Sequence, residues 1–414
     1  MADNLLSGFR ALDLADEKGF VCGKILATLG VDVIKIEKPG GDPARSIPPF
    51  YHNTPDIEKS LYWLAFNTDK RSITLNIETR EGQDLLRRLV EKADFVIESF
   101  PPGYMGRLGL GYEALSRVNA RIIMTSITPF GQEGPYSHYK GCDLVAAAMG
   151  GVLESSGDPD RPPVKEPLDS IYFEASATAA LGTVISHYFR EISGKGQQVD
   201  VSIQECATHR DTINLMVWEF DKRRLSKRSS QLKRFGTRYT RWMWPCKDGY
   251  LSWSLYGGPM GATDNQALSQ WIDEEGMKNP LNQVINWKEF DMAAISQETI
   301  DAFEVTIGDL FLHHTKKEIA EEGLKRGIRA RIVSDPVDVM KDPQLTSRNF
   351  WTDLVYPELG VTVTYPKYFF LCNETENYVK HRAPLIGEHN NEIYGKELGI
   401  SSTEIATLKE ANVI

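Results

Sequence analysis

Between Phe9 and Glu37 the chain runs through an apolar strand, a helix and a second apolar strand, and no other stretch narrows the possible folds as much. Phe9 to Leu14 reads as a buried strand, Gly19 to Leu29 as a helix that stops at Gly30, and VDVIKIE as the next strand. A strand, helix and strand in so short a span implies parallel pairing through a right-handed crossover. The alternation then continues. NTDKRSITLNI gives a turn and a strand, Arg80 to Lys92 a charged helix, DFVIES a strand to Ser99, and RIIMTSIT another strand. GKGQQVDVSI supplies a glycine stop and a further strand after a long helix. The fold class this predicts is α/β, with a doubly wound parallel sheet. The turn after the first strand reads ADEKG and lacks GxGxxG, which argues against a nicotinamide or flavin dinucleotide site.

The long helix begins after a proline-stiffened loop, GDPDRPPVKEPLD, that ends in Asp169. Pro162, Pro163 and Pro167 hold this approach extended, because the ring fixes φ and keeps the preceding residue out of the helical region. Tyr172, Phe173, Ala177, Ala180, Leu181, Val184, Ile185 and Tyr188 recur at the step of one helix face. Taken alone, Asp169 reads as an N-cap whose carboxylate accepts N–H groups of the first turn.

A chain of 414 residues exceeds the size at which one core usually divides, so two domains are expected. The expected division is a large domain from residue 1 to 205, a linker or crossing segment at 206–245, a small domain at 246–330, and a return to the large domain at 331–414. CKDGYLSWSLYGG reads as a hairpin whose second strand ends in Gly257 and Gly258, and residues 264–330 are rich in helix formers. DPVDVMKDPQLTSRNFW and the tail from GEHNNEIYG read as helical. The formal charge of −10 argues against nucleic acid or an anionic membrane as partner. Five scattered cysteines show no metal-ligand or redox spacing, so reduced thiols and a cytoplasmic location are expected, with no metal. The start of the chain lacks the blocks of a signal peptide, and no apolar run has membrane-spanning length.

Taken in order, VIKIEKPGGDPAR, NTDKRSITLNI, DFVIESFPPGYMGRLGLGYEAL, TSITPFGQEGPY, Asp169 with its helix, GKGQQVDVSI, DPVDVMKDPQL and RAPLIGEH resemble the class III CoA-transferase family. That family includes formyl-CoA and carnitine CoA-transferases. Residues 207–320 match it least. The resemblance implies a split Rossmann-like large domain with a parallel sheet, a smaller α+β domain and an interlocked dimer. It also implies an acyl-CoA:carboxylate CoA-transferase with Asp169 as nucleophile, a CoA thioester as substrate and no permanently bound cofactor. An ionised aspartate can attack a thioester and expel CoA thiolate, leaving a mixed aspartyl anhydride.

Further positions follow from the same resemblance. Lys38, Leu75, Ser99, Phe100, Arg107 and Lys140 fall where the family binds CoA. Gly257 and Gly258 match a glycine loop that offers N–H groups to an oxyanion. Glu17 stands close to an active-site glutamine of formyl-CoA transferase. The sequence also departs from the pattern: Ser99 replaces an asparagine, and Phe173 stands where glycine is usual four residues after the nucleophile. Arg234, Arg238 and Arg241 interleave with Phe235, Tyr239, Trp242 and Trp244, which reads either as an interdomain crossing or as carboxylate capture between aromatic walls. With ADEKG, this pattern is similar to subunits that move CoA from succinyl-CoA to an aromatic dicarboxylic acid, benzylsuccinate. The partners expected are thus an acyl-CoA, a carboxylic acid, and either a second copy or a paralogous chain. Two alternatives stay open: a non-catalytic paralogous subunit, and an acyl-CoA racemase. Racemases carry a His in a Gly-His-Asp motif where this chain has Cys142, read here as a small core residue.

Overall fold

The apolar runs of the first half become one six-stranded sheet in the computed structural model, which describes residues 4–158, 161–224 and 238–414 and the backbone of 232–235. Its strands are β1 (Arg10–Asp13), β2 (Asp32–Glu37), β3 (Arg71–Thr74), β4 (Phe95–Glu98), β5 (Ile123–Thr128) and β6 (Gln198–Ser202). They lie in the order β3-β2-β1-β4-β5-β6 and every pair is parallel. The remaining strands are β7 (Leu232–Phe235), β8 (Arg238–Arg241), β9 (Met243–Cys246), β10 (Gly249–Ser252), β11 (Arg331–Ile332), β12 (Trp351–Tyr356) and β13 (Val361–Pro366).

The helices in chain order are α1 (Phe20–Thr28), α2 (Leu61–Phe66), α3 (Arg80–Val90), α4 (Tyr104–Arg107), α5 (Tyr112–Val118), α6 (Asp143–Met149), α7 (Val152–Ser155) and α8 (Ser170–Ser193). There follow α9 (Ile203–Arg210), α10 (Thr212–Asp221), α11 (Gly258–Glu274), α12 (Gln297–His313), α13 (Lys316–Arg326), α14 (Pro336–Met340), α15 (Pro343–Ser347) and α16 (Ser402–Glu410).

Two compact units result. One comprises Met1–Val152, Glu166–Thr212 and Gln344–Ile414; the other comprises Leu153–Lys165 and Ile213–Pro343. The first contains the parallel sheet, whose strand order reverses between β1 and β4. In open α/β sheets ligands bind beyond the carboxyl ends of the strands at such a switch point. The second unit packs α11, α12 and α13 with the antiparallel β9-β10-β11 sheet around Trp244, Trp253, Trp271, Phe303 and Phe311. Residues 206–245 hold most of α9, all of α10, β7 and β8, and the start of β9.

Three expectations need correction. The hairpin's second strand ends at Ser252, and Gly257 and Gly258 instead open α11. The residues read as one face of α8 divide: Phe173, Leu181, Ile185 and Tyr188 are exposed, whereas Tyr172 and Ala180 are buried together with Ile171, Ala175, Ser176, Ala179 and Thr183. Small residues let the helix lie close on its neighbours, so beyond the first turn the periodicity of bulky residues marks the outer face. Cys142, read as a core thiol, is exposed.

Below the switch point the sheet carries buried charge. The Lys70 ammonium donates to Asp13 (2.8 Å), to Asn67 (2.9 Å) and to the Phe20 carbonyl (2.9 Å), and Asp13, Lys35 and Lys70 are all buried. Arg45 donates to both oxygens of Glu37, at 2.6 and 2.9 Å. Removing one member of such a pair strands the other and costs roughly 3–5 kcal/mol. The network therefore fixes the end of β1, where ADEKG begins.

Candidate active site

Leu168 takes a φ of +61°, rare for a branched side chain, and Asp169 follows it at the N-cap position of α8. The carboxylate of Asp169 accepts none of the helix's first N–H groups. Those of Ile171 and Tyr172 donate instead to one oxygen of Asp143, at 2.9 and 3.0 Å. Asp143 opens α6 and is buried. The reading of Asp169 as an ordinary cap is therefore corrected: a second aspartate has that task.

Around Asp169 stand groups from distant parts of the first unit. The Tyr62 hydroxyl of α2 lies 3.5 Å from Asp169 Oδ2, a long contact. Burial first, and then the charge of Asp169, raise the Tyr62 phenol above its usual range, so it stays neutral and able to donate. The charges of Glu17 and Asp143 act on Tyr62 as well. Burial, then the charge of Asp16, raise the carboxyl of Glu17. The Tyr172 phenol is raised by burial and next by Glu17. Asp169, Glu17, Tyr62, Tyr172 and Asp143 thus form one electrostatic neighbourhood. A row of rings extends from it: Tyr62 and Phe66 are 4.8 Å apart and Phe66 and Phe173 5.4 Å, both edge-on.

Two hydroxyls hold the ADEKG loop in place. Ser99, at the end of β4, accepts the Asp16 N–H (2.8 Å) and donates to the Asp16 carboxylate (2.7 Å), bridging the switch point. Ser176 of α8 donates to the Lys18 carbonyl at 2.8 Å. Just beyond β2, β3 and β4 a second group assembles. Lys38 pairs with Glu78 at 3.0 Å, and Glu78 accepts the Tyr104 hydroxyl at 2.8 Å. The ring of Tyr104 lies 4.8 Å from Phe100 and 5.8 Å from the Arg107 guanidinium. Leu75 is buried in the cluster against which Phe100 and Tyr104 pack. Lys38 and Arg107 are thus exposed cations beside an aromatic ledge, with Glu78 between Lys38 and Tyr104. Burial pushes Glu98, below Phe100, up to about 7.

Residues 6–390 match the family model for CoA-transferase family III. The chain belongs to this family. It is 34% identical to the succinyl-CoA:(R)-benzylsuccinate CoA-transferase subunit BbsE of Thauera aromatica, over 97% of this chain and 96% of that one. It is 29% identical to the formyl-CoA:oxalate CoA-transferase of Streptomyces avermitilis, over 99% of each. A CAIB/BAIF family protein from Brucella suis superposes with a TM-score of 0.82 at 27% identity, covering 95% of this chain and 99% of that one. The protein is accordingly a class III CoA-transferase, an enzyme of a family whose substrates are CoA thioesters and carboxylates.

The other expected positions of this CoA-transferase lie on other segments of the chain. Lys140 is exposed on the segment between β5 and α6. Gly257 and Gly258 belong to the second unit. A Cβ on Gly257 would come within 2.7 Å of the Phe290 carbonyl, and the Gly258 N–H already donates to that carbonyl at 2.7 Å. Arg238 donates to the Ile295 carbonyl at 2.8 Å, and Arg241 lies 5.5 Å from the ring of Trp244, which is buried in that unit's core. The side chains of Arg234 and Phe235 lie outside the described residues. Among the described residues no group of His, Cys, Asp and Glu could hold a metal, and no helix is long and apolar enough to cross a membrane. Sequence reading missed Tyr62 and Asp143. Asp143 had a signal of its own, an acidic residue opening an Ala-rich helix, whereas Tyr62 had none.

Proposed function

We propose that this class III CoA-transferase moves CoA between carboxylic acids through a covalent acyl anhydride on Asp169. The observation that carries this reading is the N-terminus of α8, where Asp169 sits at the cap position while Asp143 takes the N–H groups. An oxygen of Asp169 attacks the thioester carbonyl carbon, the C–S bond breaks, and CoA leaves as thiolate. The acceptor carboxylate attacks the Asp169 carbonyl of that anhydride and releases the donor acid; CoA thiolate then attacks the acceptor's acyl carbon, forming the new C–S bond and freeing the Asp169 carboxylate. One carboxylate enters for each that leaves, and no redox equivalent is consumed. Lys38, Phe100, Arg107 and Lys140 hold the CoA, with Leu75 beneath and Ser99 pinning the loop that bears Glu17. The donor proposed is succinyl-CoA and the acceptor an aryl-bearing dicarboxylic acid such as benzylsuccinate, which the ring row beside Asp169 and the likeness to the benzylsuccinate subunit support.

A second chain, identical or paralogous, covers apolar surface in this reading. Leu181, Ile185, Tyr188, Phe189 and Ile192 are exposed along α8, a run of apolar side chains of the kind that marks interaction surfaces. Two relatives are named as subunits, which favours a second reading in which this chain is the non-catalytic member of a pair. Hydroxylamine added during turnover separates the two. The proposal expects a hydroxamate on Asp169 in the peptide mass map. An unmodified Asp169 in an active complex, with the label on a partner chain, assigns catalysis to the partner.

A further inference from the structure

An aspartate at an N-cap ordinarily spends its carboxylate on the N–H groups two and three residues onward. For Asp169 those are the N–H groups of Ile171 and Tyr172, and both donate to Asp143. Asp143 comes from a different helix and is only 3% exposed, so its carboxylate is held in place by its surroundings. Two carboxylates stand at one helix end, and one satisfies it.

We infer that Asp143 is a positioning residue for the transfer reaction: it caps α8 in place of Asp169, so that the Asp169 carboxylate is not drawn onto the first N–H groups of its own helix. The inference rests on the reading of Asp169 as nucleophile. It also explains how a helix can begin at a reactive residue without orphaning its first donors, which would be costly where they are buried. Without Asp143 the N–H groups of Ile171 and Tyr172 lose their acceptor, and the Asp169 carboxylate, at the cap position, is the group that would replace it. Helix stability would then be retained and reactivity lost, because a carboxylate accepting two N–H bonds is held in its charged form and is a poorer nucleophile.

The test compares Asp143→Ala, Asp143→Asn and Asp169→Asn in the purified full-length enzyme, together with any partner chain that copurifies. For Asp143→Ala the expected result is a roughly hundredfold fall in kcat with little change in KM for the CoA thioester. Hydroxamate trapping at Asp169 should fall with it. Its melting temperature should change by no more than a few degrees. Asp143→Asn keeps an acceptor oxygen and should recover most of the rate. Wild-type kcat in Asp143→Ala overturns the proposal. So does an Ala variant that fails to fold or loses CoA binding along with rate, since Asp143 would then serve only to hold the structure. An active Asp169→Asn variant overturns the nucleophile reading itself, whereas an inactive one beside a fully active Asp143→Ala overturns only the positioning role.

Discussion

Asp169 and Asp335 are the same residue at the same kind of position, and they do opposite things. Asp335, before α14 in the second unit, accepts the N–H groups of Val337 and Asp338 at 2.8 and 3.0 Å and completes a capping box with Asp338. Asp169, before α8 in the first unit, accepts none of its helix's first N–H groups, because Asp143 supplies the cap from another helix. Sequence cannot distinguish them, since both look like good caps followed by a helix. What separates them is which oxygen the first N–H groups find. A cap brought in from elsewhere in the fold means that the residue at the cap position is not the one that satisfies the helix.

The sharpest break of this comparison is Asp169→Asn. Transfer should fall by several orders of magnitude, as for loss of other covalent nucleophiles, while the melting temperature stays close to wild type because no cap bond is lost. Substantial residual transfer would place Asp169 with Asp335 as an ordinary structural residue.

Glu98 extends the comparison to a carboxyl governed by burial. Its folded value of about 7 lies above the unfolded value near 4.5, so the native state keeps a proton that the unfolded chain releases between those limits. Stability therefore falls as pH rises through that window, by up to about 3 kcal/mol at roughly 1.4 kcal/mol per unit, and is level above it. Glu98→Gln should match wild type in thermal melts near pH 4.5 and be more stable at pH 8. Parallel curves for the two proteins would show that Glu98 stays ionised.

Phe173→Ala asks what the Asp169 carboxylate faces. Ratios of kcat/KM between aryl-bearing and linear acids should shift roughly tenfold, with the Kd for CoA unchanged, because an apolar contact of this kind discriminates by about 1–3 kcal/mol. A uniform loss across all acids would make the ring simple packing. The smallest effect belongs to Asp335→Ala: a slight loss of stability in denaturant titration, with kcat untouched. A fall in kcat there would remove the contrast with Asp169.

The sheet was legible because parallel strands buried on both faces read as apolar runs, and the helices between them begin and end at recognisable residues. Gly30 and Gly194, with φ of +102° and +74°, stop α1 and α8 as glycines do. The buried Lys35, Glu37 and Lys70 were not legible, because charge in a strand ordinarily signals an edge or an open face. The β12–β13 hairpin also escaped, although Gly360 at its turn, with φ of +66°, was a usable signal. For the site, Asp169 was found through a resemblance and not through local pattern. Tyr62 lies 107 residues from Asp169 in sequence, and only the fold brings them together.

The inner face of α8 bears on how such a chain diversifies. Because Ala175, Ala179 and Ala180 have almost no space around them, that face is closed to enlargement, and a bulkier residue there would push the helix off the sheet and carry Asp169 with it. The outer face has no such constraint. Substitutions at Phe173 and along the outer side can therefore accumulate without shifting the start of the helix, whereas the inner side admits almost none.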